Sequence, residues 1–389
     1  MSAPTFDLAV VGGRLIDPAA GLDGRYDVGF AGGRVAAVAP TIDRASCAEV
    51  VDASGMLVVP GLVDAHVHVY PGVSHYGVEA DAHCLAHGAT TVVDAGSAGA
   101  DTFGGLRRYV IERSRTRILA RVNISTMGMI SRRIGELASI AWADADRTVE
   151  VLRENPDVVL GVKVRLTREL VDAGAGLRPL HIAREAADRA GVPLMVHPQE
   201  SWAHSIDDVV DLLRAGDILT HAYHGLEHGI LDAHGRVRES VLRARERGVV
   251  FDLGHGEGSF GWSVAESALA DGFLPSMIST DLHRYNVPEP VHSLPHVMSK
   301  FLALGVPLGD VVAMATAQPA RVIGREGALG TLAVGAVADA AVLEIGSQEV
   351  DLVDSYGVRR RGSTVLACRA VVRDGVRVDR DDLLKGHTS

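Results

Sequence analysis

Cysteine is scarce in this chain: three residues in 389, Cys47, Cys84 and Cys368, set far apart. They make neither a disulfide framework nor a CxxC metal motif, and a reducing, cytoplasmic setting fits them. No apolar run reaches the ~18 residues of a membrane span, so no membrane is expected as a partner. The first residues, Met1 to Asp7, lack a basic stretch followed by an apolar one, and no secretory leader is expected. Basic charge is also short. Lys and Arg number 38 against 49 Asp and Glu, a formal charge of −11, which argues against nucleic acid. What is abundant is apolar residues, at 47%, and that excludes disorder. A chain of this length exceeds the ~250–300 residues at which one core stops growing, so a large domain with a smaller companion is expected.

The two ends share one texture. Residues 6–60 read as short strands with Gly turns, as in Asp7-Leu8-Ala9-Val10-Val11-Gly12-Gly13. The stretch 331–379 looks the same. Neither end holds enough strand for its own core, so residues 1–57 and 331–389 are expected to pair into one small β domain, a β-sandwich, in preference to two separate appendages. Between them, 58–330 alternates strand and helix signals. Candidate strands are 58–66, 90–94, 117–123, 158–164, 193–197, 217–221, 249–253 and 276–281. Pro179 opens a helix that Gly191 stops, and another ends at Gly248. Eight such units in roughly 270 residues match the size of an α/β protein of the (β/α)8 TIM-barrel type. An open doubly wound sheet is the alternative, but no GxGxxG turn follows the first strand.

Barrel chemistry sits at the C-terminal ends of the strands. His66 and His68, two apart, leave the same face of the first strand, as half of a divalent-metal site would. The other strand ends supply Lys163, His197, His221 and Asp281. Each also has a plainer reading: His197 before Pro198 as a hydrogen-bonded strand end, His221 as one of several nearby loop histidines, Asp281 as a helix cap. Lys163 is the hardest to place otherwise. Its apolar neighbours put it inside, where an unpaired ammonium is very costly. A carboxylate partner would solve that, or burial lowers its pKa and frees a nucleophilic amine.

Pro60-Gly61-Leu62-Val63-Asp64-Ala65-His66-Val67-His68, the lone lysine of strand four, His197, His221 and Ser279-Thr280-Asp281 together resemble the binuclear amidohydrolase superfamily. Val93-Asp94-Ala95-Gly96-Ser97, Gly161-Val162-Lys163-Val164-Arg165 and Asp252-Leu253-Gly254-His255-Gly256 are similar to a dihydroorotase-like subgroup that hydrolyses acylated α-hydroxy acids, such as acetyl-(R)-mandelate. The resemblance implies two divalent metal ions. His66, His68 and Asp281 would hold one, His197 and His221 the other, with a CO2-derived carbamate on Lys163 and a hydroxide bridging them. Nitrogen and oxygen donors favour Zn2+. Asp281 would be catalytic, as general base and then acid. The reaction implied is hydrolysis of an ester, amide or cyclic amide bond in a carboxylate-bearing small molecule.

Around the metals, Arg165 shares the face of Lys163 and could grip a substrate carboxylate, or pair with Glu169 or Asp172. Tyr223, His224, His255 and His283 are candidate substrate contacts. Asp94 and Ser97 are candidate supports, and the loop 70–81, with His75, Tyr76 and Glu79, is a candidate cover. Two other readings stand beside the hydrolase: a one-metal deaminase of a nucleobase-like substrate, and a scaffold without catalysis. Large barrel enzymes are commonly symmetric, so a homo-oligomer is expected.

Overall fold

The computed structural model describes residues 5–385. Its chain ends form two sheets that face each other. One, four-stranded, runs in the order Arg34–Ala39, Asp27–Ala31, Phe6–Val11, Cys47–Asp52. The other mixes both ends: Val376–Arg377, Val365–Arg373, Ala340–Gly346, Leu57–Pro60, Arg14–Asp17, Leu22–Arg25. Alternate inward residues of both, among them Leu8, Val10 and Phe30 with Leu15, Val58 and Val342, make one buried sandwich core.

The stretch 58–66 is not one strand. Leu57–Pro60 lies in the end sheet, antiparallel to Ala340–Gly346, and Leu62–Val67 opens the barrel. Gly61 marks the change because it is wedged between modules. A Cβ there would meet Thr90 Oγ1 at 2.3 Å and the Asp339 side chain at 2.7 Å.

Seven parallel strands follow in spatial order: Leu62–Val67, Ala89–Gly99, Arg117–Asn123, Val159–Arg165, Leu194–His197, Ile218–Leu219 and Val250–Phe251. The eighth member, 276–282, closes the ring without a continuous ladder. Its first half pairs with strand seven (Ser276 N to Phe251 O, 2.7 Å; Leu253 N to Met277 O, 3.2 Å). Its second half pairs with strand one (Asp281 N to His66 O, 2.7 Å; His68 N to Leu282 O, 2.9 Å). Asp281 adopts φ 49°, which a regular strand does not allow. The result is a (β/α)8 barrel carrying a β-sandwich. Helices pack outside it, including Arg178–Ala190, which ends at left-handed Gly191, and Glu239–Glu246.

Candidate metal centre

His66 and His68 stand at the end of the first barrel strand with both Nε2 atoms turned to one oxygen. Asp281 Oδ1 lies 3.2 Å from His66 Nε2 and 3.1 Å from His68 Nε2. The far nitrogen of each ring is fixed from behind. His66 Nδ1 sits 2.9 Å from Thr220 Oγ1 and 3.2 Å from Asp252 Oδ2, and His68 Nδ1 sits 2.8 Å from Ser97 Oγ. Asp252 is itself held by hydroxyls, Thr220 Oγ1 at 2.7 Å and Ser279 Oγ at 2.6 Å. Asp94 accepts from Ser97 N and Val69 N, so it supports His68 at one remove. Burial would raise the Asp281 carboxyl, but the two imidazoles outweigh it and hold it well below the usual carboxylate range.

His221 and His197 complete the floor, their ring centroids 4.2 Å apart, with His221 5.1 Å from His66. Gly254 O lies 2.7 Å from His221 Nδ1, which makes that nitrogen the donor and leaves Nε2 with its lone pair. His197 Nε2 is 3.2 Å from Thr167 Oγ1. Burial drives both imidazoles well below their ordinary pKa, so both are neutral. His221, at φ 61°, and Asp281 adopt left-handed backbone. Such strain persists only where surrounding structure enforces it.

Lys163, level in register with Asn123 and Met195 on its neighbouring strands, reaches into the same space and is 1% exposed. Its Nζ has one hydrogen-bond contact, to Met195 Sδ at 3.6 Å, and no ion pair among the described residues. Burial brings it down to about 7, with Asp281 opposing. Gly96, at φ 88°, gives it room, since a Cβ there would stand 2.7 Å from Lys163 Cγ.

A cavity of about 550 Å³ opens over these residues. His66, His68, Lys163, His197, His221 and Asp281 line its floor, and Arg165, Tyr76 and His283 its wall. Arg165 pairs with neither Glu169 nor Asp172. Its Nε and Nη2 donate to the two oxygens of buried Glu136, each at 2.6 Å, and Nη1 donates to Tyr76 Oη at 3.0 Å. His283 is pressed down to about 3 by burial, and its Nδ1 accepts from Tyr285 N, so Nε2–H is the donor it offers. Three expected contacts lie outside this lining. Tyr223 points into the core and donates its hydroxyl to Phe273 O. His224 Nδ1 caps Leu226 N at 3.2 Å. His255 is buried on Phe260, 2.7 Å from Lys300 Nζ. In each case the local loop offers a backbone or core partner that the residue order does not display. From the loop 70–81, Tyr76 reaches the cavity; His75 and Glu79 do not line it.

The model of the amidohydrolase family matches residues 57–375, the whole barrel and most of the second end segment. The chain belongs to the amidohydrolase family. A deacetylase of Agrobacterium fabrum is 36% identical over 326 residues, which is 84% of this chain and 79% of that protein. The crystal structure of an adenine deaminase superposes with a TM-score of 0.88 at 31% identity, covering 96% of this chain and 100% of that one. That of a dihydroorotase gives 0.86 at 32%, covering 95% and 98%.

This amidohydrolase is therefore a metal-dependent hydrolase of small molecules. Its residues fit a divalent cation on their own chemistry. His66 Nε2 is fully buried with no hydrogen-bond partner, facing a carboxylate oxygen and a second imidazole. Two imidazole nitrogens and one carboxylate oxygen converging on a single point are a donor set that suits a borderline divalent cation. Asp252, Thr220 and Glu136 are parts of this arrangement that residue order alone does not reveal. Asp252 lies in the quoted Gly-rich motif, but its partner His66 is 186 positions away.

Proposed function

We propose that this amidohydrolase hydrolyses the acyl bond of an acylated carboxylate, such as an O-acyl α-hydroxy acid, using two divalent ions and a carbamate on Lys163. The observation that carries the reading is Lys163 itself: a fully buried amine, lowered to about 7, with no carboxylate bound to it, among four imidazoles and Asp281. A neutral amine can attack CO2; the N–C bond forms, one proton leaves, and a costly cation becomes an anion that two cations can share. His66, His68 and Asp281 would hold one ion, His197 and His221 the other, and Lys163 both, with zinc favoured by the N and O donors.

When bound, such a pair supplies a water ionised near neutral pH and a Lewis acid for the carbonyl. The chain's own groups do the rest. Asp281 Oδ2 faces Gly256, whose missing side chain keeps that oxygen clear, since a Cβ would stand 2.6 Å away. That oxygen takes a proton from the nucleophile and returns it to the leaving group. His283 offers Nε2–H to a substrate oxygen, and Asp252, Thr220 and Ser97 keep the ligand rings in one tautomer. The deacetylase and dihydroorotase likenesses favour bond hydrolysis of this kind. The likeness to an adenine deaminase favours a second reading, a one-metal deaminase.

A panel of N-acyl and O-acyl carboxylates, with metal counted on the same CO2-replete sample, tests both. Hydrolysis with close to two ions per chain is the expected result. Ammonia release from adenine with one ion per chain, or a crystal structure with a bare amine at position 163, would end the two-metal reading.

A further inference from the structure

Resting on that reading, we propose that Arg132 and Arg133, on the loop after the third barrel strand, grip the substrate's carboxylate and select for acidic substrates. Arg165, the nearer guanidinium, is closed to this task. Two of its nitrogens are bidentate on Glu136, a third is on Tyr76 Oη, and its face lies 5.4 Å from the Tyr76 ring centroid. A substrate carboxylate would have to displace Glu136 and leave that buried anion unpaired, which is strongly unfavourable.

Arg132 and Arg133 stand four and three positions before Glu136 on the same loop, and both line the cavity. Both are exposed. Among the described residues neither makes a hydrogen bond or an ion pair, even with Glu169, which lines the same cavity. Their loop is nonetheless fixed at its base. Met129 N donates to Ser97 O at 3.0 Å, next to the hydroxyl that orients His68. Ser125 Oγ donates to Glu136 O at 2.5 Å, and Leu137 N to Leu170 O at 3.0 Å. The loop that buries a partner under Arg165 thus delivers two free guanidinium groups to the mouth.

Charge across the mouth gives the direction. In an eight-membered ring the loops after strands three and seven face each other. Glu257, on the strand-seven loop, lines the cavity opposite the arginines; Glu200, after strand five, lies a quarter-turn round, and Glu169, after strand four, stands on the neighbouring loop. An anionic substrate end is repelled from that side and drawn to the third-strand loop. The acyl group then points down to the Lys163 floor. Planar guanidinium groups suit a carboxylate, which takes two parallel N–H donors.

The test uses an O-acetyl α-hydroxy acid, its carboxamide counterpart and the free hydroxy acid as a product ligand. Arg132→Met and Arg133→Met should each lower the kcat/KM ratio of acid to carboxamide about fivefold, and the double variant about twentyfold, through KM. The double variant should weaken binding of the free hydroxy acid by a similar factor, and ~0.5 M salt should weaken the wild type likewise. Arg108→Met, exposed and distant, controls for net charge and should leave the ratio alone. An unchanged ratio and unchanged product binding in the double variant would overturn the proposal. If wild type cleaves no ester or amide at all, the hydrolase reading falls, while product binding still decides for or against the arginines.

Discussion

Two lysines are buried in this protein as completely as its core phenylalanines, and they live differently. Lys163, in the barrel mouth, has a thioether at 3.6 Å and nothing better. Lys300, on the helix Leu294–Ala303, donates to Pro290 O at 2.8 Å and Val353 O at 2.6 Å, and meets His255 Nε2 at 2.7 Å. Burial lowers both amines to about 7. The same desolvation thus acts on a satisfied group and an unsatisfied one. Three acceptors around an ammonium use all its protons and tie a helix to two loops and the end of the strand Val350–Val353, which is structural work. An amine with only a weak thioether acceptor is either a folding defect or a group kept for chemistry, and the surrounding imidazoles favour the second.

The sharpest way to break this contrast is to remove each amine. Lys163→Met should cut kcat by about 10³-fold or more and reduce retained metal, since several kcal/mol of transition-state stabilisation go with the ions. In the metal-free protein the melting temperature should hold or rise, because an unpaired amine is replaced by an apolar chain of similar length. Thermal unfolding of the metal-stripped proteins, beside metal analysis of the untreated ones, decides it; a large loss of stability without metal would make Lys163 structural. Lys300→Met should do the reverse. It strands two carbonyls and His255, costing about 3 kcal/mol of stability in denaturant titrations, while the folded fraction keeps its metals.

The next effect is on pH. The Lys300 amine lies near 7 when folded and at its ordinary 10.5 when unfolded. Between those values the unfolded chain holds the extra proton, so stability rises with pH across about 7 to 10. Lys300→Met should flatten that part of the wild-type slope, and an unchanged slope would show that the amine stays charged. Smallest of all is Met195→Leu. If the thioether is only packing for Lys163, kcat should stay within about twofold and stability within ~1.5 kcal/mol. A tenfold loss of activity would make the sulfur a necessary acceptor.

How much of this was legible beforehand follows from distance along the chain. His66 and His68 announce themselves because a two-residue period is local, and an interior lysine stands out against Val162 and Val164. Strand and helix alternation likewise exposes the barrel. Position-to-position partners do not show. Glu136 is 29 residues from Arg165 in an irregular loop, so Arg165 reads as free when it is not. The eighth strand reads as regular because Met277-Ile278 sits at the expected spacing before Ser279-Thr280-Asp281, yet its two halves pair with different neighbours. Tyr223 reads as a site residue because it follows His221, and His255 because it lies in the Gly-rich segment after strand seven, but side-chain direction in a loop has no period to betray it.

The sheet that joins the two chain ends has a consequence for synthesis. Leu57–Pro60 emerges first, and its partner Ala340–Gly346 is translated about 280 residues later. Until then the N-terminal strands carry an open edge, ready to pair with any other extended chain. The growing polypeptide needs shielding until that strand is made, and a chain cut short before Ala340 leaves the barrel strand that carries His66 hanging from an unfinished seam.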